Sequence, residues 1–304
     1  MKFSILIASY NNGHFIKDCF DSILHQTYQN FEVIIVDDAS TDNSLAVISE
    51  LIQNDSRFKL FVNEKNGGCG YTKRRCVELA TGEICGFLDP DDSITNNAVA
   101  VMIDAHQSKP NVAIVSSKFY ITDLQLNRVS ESQQGQKIPE NKSFLTFGKG
   151  AVTHFCSFKR KDYLKTEGIN PKLKRAVDLD LYYKMEEVGD HFFVDAFLYN
   201  YRINPNSISA NQNVYKASYW AIVASEAAFE RRLKSKTVQK SDYDLFILDK
   251  RFYLIQRMKR AVNTKKYCNK YYLFFELLKI DFKHNLLLLE YKFKIKSLFF
   301  IKFS

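Results

Sequence analysis

Two clusters of aspartates each follow an apolar segment of the sequence, and clustered carboxylates can bind a metal ion. The stretch "CGFLDPDDS" places Asp89, Asp91 and Asp92 within four residues, and "VIIVDDASTDNS" places Asp37 and Asp38 directly after a run of β-branched residues. Neighbouring carboxylates repel one another unless a cation or hydrogen-bond donors lie between them. Hard oxygen ligands at Asp-x-Asp spacing suit Mg²⁺ or Mn²⁺, so Asp89 and Asp91 are predicted to bind a divalent metal.

Helix capping is the alternative explanation for part of this acidic pattern. Asp, Ser and Thr are common N-caps, and Thr41 or Asp42 is predicted to cap the helix that follows the second strand. Each cap needs only one residue. Capping therefore leaves most of the carboxylates in both clusters unexplained.

The alternation of apolar strands with helical patterns predicts the elements that position these carboxylates. Helices are expected at about residues 15–26, 42–54, 70–80 and 96–108. The predicted strands are "FSILIAS", "FEVIIVD", "FKLFVN", "EICGFLD" and "NVAIVSSKF". Such a pattern is typical of a parallel sheet covered on both faces, with ligands beyond the carboxyl ends of its strands. Both acidic clusters should therefore lie on one edge of the sheet.

The later part of the chain is predicted to contain a loop, a second βα region and a helical end. Residues 121–150 are polar and aperiodic, which predicts a mobile segment over the active face, either a lid or acceptor loop or a plain surface loop. Pattern returns with a helix in "DLDLYYKMEEVG" and a strand in "HFFVDAFLYNYRI". We expect one α/β domain at 1–210 and a helical region at 211–304.

The composition indicates a globular protein. The 304 residues are 46% hydrophobic, which is ample for a packed core. The six cysteines include no C-x-x-C pair and no zinc-like spacing, which fits a reducing cytosol and argues against a disulfide framework. The apolar run at the N-terminus is too short for a signal peptide, and no segment has the length and apolarity of a membrane span.

The net charge of +9 is concentrated in the tail. Residues 231–304 hold 19 Lys and Arg against 6 Asp and Glu, a net +13, so residues 1–230 hold 24 against 28, a net −4. The tail is predicted either to pack as a helical subdomain on the catalytic domain or a second subunit, or to lie on an anionic membrane surface, which we favour. Nucleic acid is not expected, because no RNA- or DNA-binding motif accompanies the charge.

Taken together, the motifs resemble family 2 glycosyltransferases with the GT-A nucleotide-diphospho-sugar fold, over roughly residues 1–210. The segments that carry the resemblance are "SILIASYNN", "VIIVDDASTDNS", "NGGCGYTKRRCVELATGE", "GFLDPDD" and "AVDLDLYYKM", in the family's order and spacing. The resemblance implies an α/β fold with a mostly parallel, Rossmann-like sheet flanked by helices, followed here by the C-terminal helical extension. It also implies a hexosyltransferase type of activity.

The resemblance implies a nucleotide site at the ends of the first two strands. Ala8, Ser9 and Tyr10 would line the base pocket, and Asp38 would accept a hydrogen bond from a uracil-type ring. Asp37 would support that loop from behind.

The glycines of "NGGCGYTKRRC" would let the backbone approach the nucleotide. Lys73 takes the place of the family's usual arginine near the base and phosphates, and it offers a point charge without a bidentate fork. Arg74 and Cys76 replace the commoner Asn and Gly, which makes Arg74 a candidate for phosphate contact.

The stretch Asp89-Pro90-Asp91 matches the family's Asp-x-Asp element. The resemblance implies that Asp89 approaches the ribose and that Asp91 coordinates Mg²⁺ or Mn²⁺. This ion would neutralise the charge that develops on the donor diphosphate as the sugar leaves. Pro90 would stiffen the turn that presents the ligand.

Inverting transfer also needs a base that accepts the proton of the acceptor hydroxyl. Asp178 aligns with the family's base aspartate and Asp180 with its second, structural acid. A helix N-cap is the alternative role for Asp178. Val177 stands where the family usually has Glu or another polar residue, a departure that we interpret as tuning of the pocket.

The stretch "YNYRINPNSIS" resembles the family's Tyr-Arg element. Tyr201 and Arg202 are candidates for contacts to the donor phosphates, and Asn204 stands where a histidine often contributes to the metal or phosphate region. The dispersed His14 and His154 are predicted to be packing or acceptor-side residues rather than metal ligands.

The sequence therefore predicts an inverting glycosyltransferase that moves a sugar from a UDP-sugar to an acceptor hydroxyl in polysaccharide or glycolipid synthesis. The protein is expected in the cytoplasm, peripheral on the inner face of the membrane. Its acceptor is expected to be a saccharide or to be linked to a lipid. If the tail packs on a second subunit instead of the membrane, a homodimer is expected. Two other functions remain open. One is an aspartate-nucleophile phosphatase with Asp89 as nucleophile and Asp91 as acid. The other is a non-catalytic nucleotide-sugar-binding scaffold.

Overall fold

The computed structural model describes residues 1–140, 142–148, 150–204 and 214–237, together with Leu254, Phe275 and Leu278. The chain divides into two compact units, residues 1–238 and 239–304, and the fold given below is that of the first unit. The predicted boundary at 210/211 stays a prediction. The predicted helices of the basic tail fall almost entirely outside the described residues.

A nine-stranded sheet forms the centre of the first unit, in the order β3-β2-β1-β4-β8-β6-β9-β5 with β7 beside β6. The strands are β1 (Phe3–Ser9), β2 (Phe31–Asp37), β3 (Phe58–Val62), β4 (Ile84–Phe87), β5 (Ser93–Ile94), β6 (Val112–Thr122), β7 (Arg128–Glu131), β8 (Ser157–Lys159) and β9 (Asp190–Arg202). The first four strands in sequence are parallel to one another, through the pairs β1–β2, β1–β4 and β2–β3. Beyond β4 the sheet is mixed, because β8 runs antiparallel to both β4 and β6. The predicted α/β fold is confirmed.

The central strands read as uninterrupted apolar runs because both faces of the sheet are covered. Ile5 and Ile7 of β1 belong to one hydrophobic cluster, and Leu6 between them belongs to another. Val33 and Ile34 of β2 divide between the two clusters in the same way. Successive side chains of a strand point to opposite faces, so both faces of these strands are mostly apolar, and the buried exceptions Ser4 and Glu32 hydrogen-bond to each other.

Eight helices among the described residues cover the two faces of the sheet: α1 (Ile16–Leu24), α2 (Ser44–Ile52), α3 (Cys69–Leu79), α4 (Ala98–Ser108), α5 (Phe144–Phe147), α6 (Arg160–Tyr163), α7 (Val177–Glu186) and α8 (Val214–Lys234). Buried residues of α1, α2 and α4 join the first cluster, and those of α3, α5, α7 and α8 join the second. The helices predicted at 15–26, 42–54, 70–80 and 96–108 correspond to α1–α4. The N-cap of α2 is Asn43, so the prediction that Thr41 or Asp42 occupies this position is wrong; Asp42, one residue earlier, accepts a hydrogen bond from the N–H of Ser44, the first residue of α2.

The segment 121–150 is more regular than the sequence indicates. It begins with the end of β6, continues into β7, and later includes the short helix α5. Asp123 holds the turn between β6 and β7 by accepting hydrogen bonds from the N–H groups of Gln125 and Asn127. All four residues of β7 are exposed, so the strand has no apolar alternation that sequence reasoning could detect.

None of the helices in the described part of the chain combines the length and the apolarity needed to cross a membrane.

Candidate active site

The acid loop, residues 89–92, follows β4 at the edge of the sheet where β1 and β2 also end. β4 is parallel to β1, and the N–H of Leu88 continues this pairing by donating to the carbonyl of Leu6. The loop closes on itself through a hydrogen bond of 3.1 Å from the N–H of Asp92 to the carbonyl of Asp89. It then enters β5, which pairs with the far end of β9. The predicted meeting of the acidic segments at one sheet edge follows from these pairings.

Asp92 anchors the acid loop to β9. Its side chain lies in the interior, where it accepts hydrogen bonds from the hydroxyl of Tyr199 at 2.6 Å and from the N–H of Arg202 at 2.7 Å. Burial, reinforced by the charges of Asp91 and Asp89, raises the pKa of Asp92 well above its ordinary value. Tyr199 is a site-supporting residue that sequence reasoning missed, although its alternation with Tyr201 places both on one face of the strand.

Lys73 joins the acid loop to the candidate base. Its ammonium lies 2.7 Å from Oδ1 of Asp178 and 3.2 Å from Oδ1 of Asp89, and the residue is only 5% exposed. The ammonium also lies 5.0 Å from the centre of the Phe87 ring, within reach of a cation–π interaction. The predicted cationic residue of the donor site is thus placed between two carboxylates.

The electrostatics of this site favour the charged forms of Lys73 and Asp89. Burial opposes the charge of Lys73, but the carboxylates of Asp178 and Asp89 prevail and hold the pKa of its ammonium well above the ordinary value. Burial likewise opposes the charge of Asp89, and the ammonium of Lys73 outweighs it, so the pKa of Asp89 lies below its ordinary value. A buried charge is stable only when it is paired, and this pairing satisfies that requirement.

Asp178 is the second residue of α7 and does not occupy the N-cap position. The helix begins at Val177, and the residue before it, Ala176, has φ 54°, in the left-handed region. The capping alternative for Asp178 is therefore wrong. Val177 is buried in the second hydrophobic cluster, which explains an apolar residue at this place. Asp178 itself is open to solvent, with 41% of its side chain exposed.

Asp180, two residues after Asp178 in helix α7, points inward and holds the segment before α7 in place. Its carboxylate accepts hydrogen bonds from the N–H of Asn170 at 2.9 Å and from the ammonium of Lys184 at 2.8 Å. Lys184 also donates to the carbonyl of Gly168 at 2.7 Å. These contacts agree with the structural role predicted for Asp180.

Asp38 organises the glycine segment that leads into α3. Its carboxylate accepts hydrogen bonds from the side-chain amide of Asn63 at 2.6 Å and from the N–H groups of Gly67 and Gly68, both at 2.8 Å. Gly68 has φ +84°, a backbone conformation that favours glycine. The predicted contact of Asp38 with a nucleobase stays a prediction, and its hold on the glycine segment is an additional function.

The end of β1 combines a buried hydroxyl with an exposed ring. Ser9 is 1% exposed, and its Oγ has no hydrogen-bond partner within the described ranges. Tyr10 is 42% exposed, while Ala8 is half-buried between the strands. Asp37 accepts hydrogen bonds from the N–H and the hydroxyl of Ser40, so it supports the loop after β2 from behind, as predicted.

The two arginines predicted to contact phosphates make protein contacts in this structure. Arg74 pairs with Glu78 and donates to the carbonyls of Glu167 and Ile169. The phosphate contacts of Arg74 and Arg202 stay predictions.

Arg202 is buried and ties three segments together. It donates to the carbonyls of Asp91 and Leu124 and to the carboxylate of Asp18, and it lies over the ring of Phe15. These bonds connect the acid loop, the turn after β6 and helix α1. Arg202 therefore supports the acid loop from its outer side.

A metal-capable group lies beside the acid loop. Ligand atoms of Asp89, Asp92 and His154 all lie within 4.8 Å of one another. His154 stacks on the rings of Tyr199 and Tyr201, which fixes its orientation. Burial lowers the pKa of His154 below its ordinary value even though carboxylates are near, and the neutral imidazole is the form that binds metals. His154 was expected to pack or to face the acceptor, and the structure adds this grouping.

Asp91, the predicted metal ligand, lies next to this group but does not belong to it. Its carboxylate accepts a hydrogen bond from the side chain of Asn204, the residue that replaces the family's histidine. Burial and the neighbouring charge of Asp89 raise the pKa of Asp91 above its ordinary value. The metal assignment of Asp91 stays a prediction. His14, by contrast, stacks on Phe15.

Known proteins match this chain over most of its described length. Residues 4–167 match the model of the family Glycosyl transferase family 2. The chain is 30% identical over 227 residues to a chondroitin synthase of Escherichia coli. This alignment covers 72% of this chain and 32% of the synthase. It is 30% identical over 227 residues to a hyaluronan synthase of Pasteurella multocida, which covers 72% of this chain and 22% of that protein. The chain thus spans about a third or less of the length of these relatives.

Solved structures show the same fold at lower sequence identity. S. aureus TarS in complex with UDP-GlcNAc superposes with a TM-score of 0.59 at 20% identity, covering 84% of this chain and 81% of that one. A mannosyltransferase of Pyrobaculum calidifontis in complex with GDP-Man and Mn²⁺ superposes with a TM-score of 0.54 at 14% identity, covering 93% and 87%. Both structures are GT-A glycosyltransferases, which confirms the predicted fold. The phosphatase and scaffold alternatives are wrong, because the family match and the relatives identify an enzyme of sugar transfer. The chain belongs to glycosyl transferase family 2 and is a glycosyltransferase.

Proposed function

We propose that the protein transfers a sugar, with inversion, from a UDP-sugar to a hydroxyl of a saccharide or lipid-linked acceptor in polysaccharide or glycolipid synthesis. One observation carries the proposal. The carboxylates of Asp178 and of Asp89 in the acid loop are both partly exposed, at 41% and 35% of their side chains, and the ammonium of Lys73 bridges them. This proximity supports a site in which a donor-binding group and a proton acceptor would act on the same sugar.

The donor nucleotide would lie across the carboxyl ends of β1 and β2. Ala8, Ser9 and Tyr10 would line the base pocket, and the buried, unpartnered hydroxyl of Ser9 supports a ligand contact there, because an unsatisfied buried hydroxyl is costly. Asp38 would contribute by holding the glycine segment against the nucleotide. Asp89, 35% exposed beside this segment, would approach the ribose.

The acceptor would react on the side of Asp178. Its hydroxyl oxygen attacks the anomeric carbon, the bond from that carbon to the diphosphate oxygen breaks, and the bonding pair leaves on the nucleoside diphosphate. Asp178 accepts the proton that the attacking hydroxyl loses. Because attack and departure occur on opposite faces of the sugar, the anomeric configuration inverts. The other nearby acids are less suited, since Asp180 is engaged by Asn170 and Lys184.

A divalent Mg²⁺ or Mn²⁺ ion at the acid loop belongs to the proposal. The residues fit such an ion, because two carboxylates and a neutral imidazole lie close together at Asp89, Asp92 and His154, with Asp91 adjacent. When bound, the ion would offset the negative charge of the donor diphosphate. The polar contacts of Asp92 to Tyr199 and Arg202 would orient its carboxylate toward the ion.

The comparisons support the choice of donor and product class. One structural neighbour was solved with UDP-GlcNAc and another with GDP-Man and Mn²⁺. The relatives named chondroitin synthase and hyaluronan synthase make polysaccharides, as their names state. Arg74 and Arg202 are proposed to reach donor phosphates only after their present protein contacts rearrange.

Asp178→Asn tests the assignment of the base. Asn keeps the shape of the side chain but cannot accept the proton, so we expect turnover to fall by roughly 10² to 10⁴ while donor affinity barely changes. Transfer of radiolabelled sugar measures turnover, and calorimetry measures donor binding. Asp195→Asn on β9 is the matched control, because 74% of that carboxylate is exposed and turnover should stay at the wild-type level. Wild-type turnover of Asp178→Asn would exclude it as the base.

Measurements of metal affinity distinguish Asp91, the predicted ligand, from the group of Asp89, Asp92 and His154. We expect Asp91→Asn and His154→Gln each to weaken Mn²⁺ affinity by about tenfold or more, measured by electron paramagnetic resonance with UDP present. His14→Gln is the control and should bind Mn²⁺ normally, since His14 lies on Phe15. An unchanged affinity in Asp91→Asn would remove Asp91 from the ligand set. Unchanged affinity in both variants would place the ion elsewhere.

Asn63→Ala tests how Asp38 contributes to donor binding. If Asp38 acts by holding the glycine segment, removing its partner Asn63 should weaken UDP affinity by about tenfold, because one of three bonds to the carboxylate is lost. Calorimetry with UDP measures this change, and Asp38→Ala should weaken affinity further. UDP affinity that falls only in Asp38→Ala would support the direct nucleobase contact and contradict the indirect role.

Contact of the basic tail with an anionic membrane surface, and a peripheral location on the inner face of the membrane, stay predictions from composition. We expect the full chain to co-sediment with vesicles that contain phosphatidylserine and to be released by about 0.5 M salt, because screening weakens lysine–lipid attraction. Vesicles of phosphatidylcholine alone are the control. Equal binding to both vesicle types, with a dimeric mass in light scattering, would favour subunit packing.

A further inference from the structure

We propose that Lys73 is a positioning residue for the base: its ammonium holds Asp178 by one oxygen and leaves the other oxygen directed to the acceptor hydroxyl. This inference rests on the proposed function of Asp178. It assigns to Lys73 a function on the acceptor side, in addition to its expected proximity to the donor.

The contacts of Asp178 make its orientation dependent on Lys73. The bond of 2.7 Å from the ammonium to Oδ1 is the one hydrogen bond that the Asp178 side chain makes to any described residue. The side chain is 41% exposed, so packing alone does not fix its rotamer. Without the ammonium of Lys73, the carboxylate of Asp178 would turn freely.

Lys73 is itself held rigidly, which a positioning residue requires. Helix α3 docks against the segment before α7 at Gly70, whose N–H donates to the carbonyl of Leu173 at 3.0 Å. A Cβ at Gly70 would lie 2.6 Å from the carbonyl oxygens of Asn170 and Leu173, so only glycine permits this approach. The helix that carries Lys73 and the segment that leads to Asp178 therefore form one packed unit.

The point charge of a lysine suits this arrangement. An arginine fork tends to bind both oxygens of a carboxylate, whereas an ammonium can bond a single oxygen of each of two carboxylates. Lys73 bonds Oδ1 of Asp178 and lies near Oδ1 of Asp89. The second oxygen of Asp178 is thus free of Lys73 and available to the acceptor hydroxyl.

Lys184 offers a matched comparison within the same region. It is also a buried lysine bonded to an aspartate, Asp180, at 2.8 Å. Both members of that pair are buried, at 4% and 2% side-chain exposure, so the pair does not reach solvent. The Lys184 pair therefore supports the fold, whereas the Lys73 pair reaches solvent through Asp178.

A double-mutant cycle tests the positioning role. In the wild-type background, Lys73→Met should lower single-turnover transfer by about 10- to 100-fold, as expected for a misplaced catalytic group. In the Asp178→Asn background, Lys73→Met should lower transfer less than about threefold, because the base that it positions is already lost. Affinity for UDP with Mn²⁺ is measured on the same variants, because loss of the contact between Lys73 and Asp89 would affect the donor side separately. Lys73→Gln, which retains a polar group, repeats the cycle if Lys73→Met folds poorly.

Lys184→Met is the control variant, and three outcomes would contradict the positioning role of Lys73. Lys184→Met should lower the melting temperature and should lower transfer by the same factor in both backgrounds. Equal, additive losses for Lys73→Met in both backgrounds would overturn its positioning role while leaving Asp178 as the base. Wild-type transfer by Asp178→Asn alone would overturn the proposed base, and the positioning role with it. A loss confined to UDP affinity would assign Lys73 to the donor and contradict the inference.

Discussion

The site depends on one buried positive charge that must be paired. Lys73 is almost fully enclosed, and an ammonium taken out of water without partners would be strongly destabilising. Asp89 and Asp178 supply the partners, and they come from the acid loop after β4 and from the first turn of α7. Pairing Lys73 therefore requires that the donor-side loop, α3 and α7 adopt a single relative arrangement.

The sheet supplies the frame for that arrangement. Parallel pairing of β1 with β2 and β4 brings the ends of three strands to one edge, where Ser9 ends β1 and where Asp38 and Asp89 follow β2 and β4. Asp38 then fixes the glycine segment before α3, and Asp92 fixes the acid loop to β9 through Tyr199 and the N–H of Arg202. Each acid near the site thus has a different task because it meets different partners.

The sequence allowed the fold and the acidic segments to be predicted because those signals are local. The apolar runs of β1 and β2 and the helical spacing of α1–α4 are present within short windows, and the motif segments "GFLDPDD" and "AVDLDLYYKM" contain Asp89 and Asp178. The pairing of Lys73 with Asp178 was not predicted, because the two residues are 105 positions apart and nothing local records their contact.

Other features were missed for comparable physical reasons. The exposed strand β7 has no hydrophobic alternation. His154 belongs to no local motif, and only the close approach of β9 brings Tyr199 and Tyr201 against it. Arg202 was expected at phosphates because its segment resembles the family's Tyr-Arg element, yet its neighbours Asp18 and Leu124 come from segments distant in the chain.

We propose that a UDP-sugar and an acceptor react between the acid loop and Asp178, with one base and one displacement. Proton NMR of the product formed from an α-linked UDP-sugar and a saccharide acceptor, with Mn²⁺ present, measures the configuration at the anomeric carbon directly. Inversion in one displacement predicts a β-linked product with one UDP released for each sugar transferred. An α-linked product would contradict it, because retention requires a different arrangement of catalytic groups.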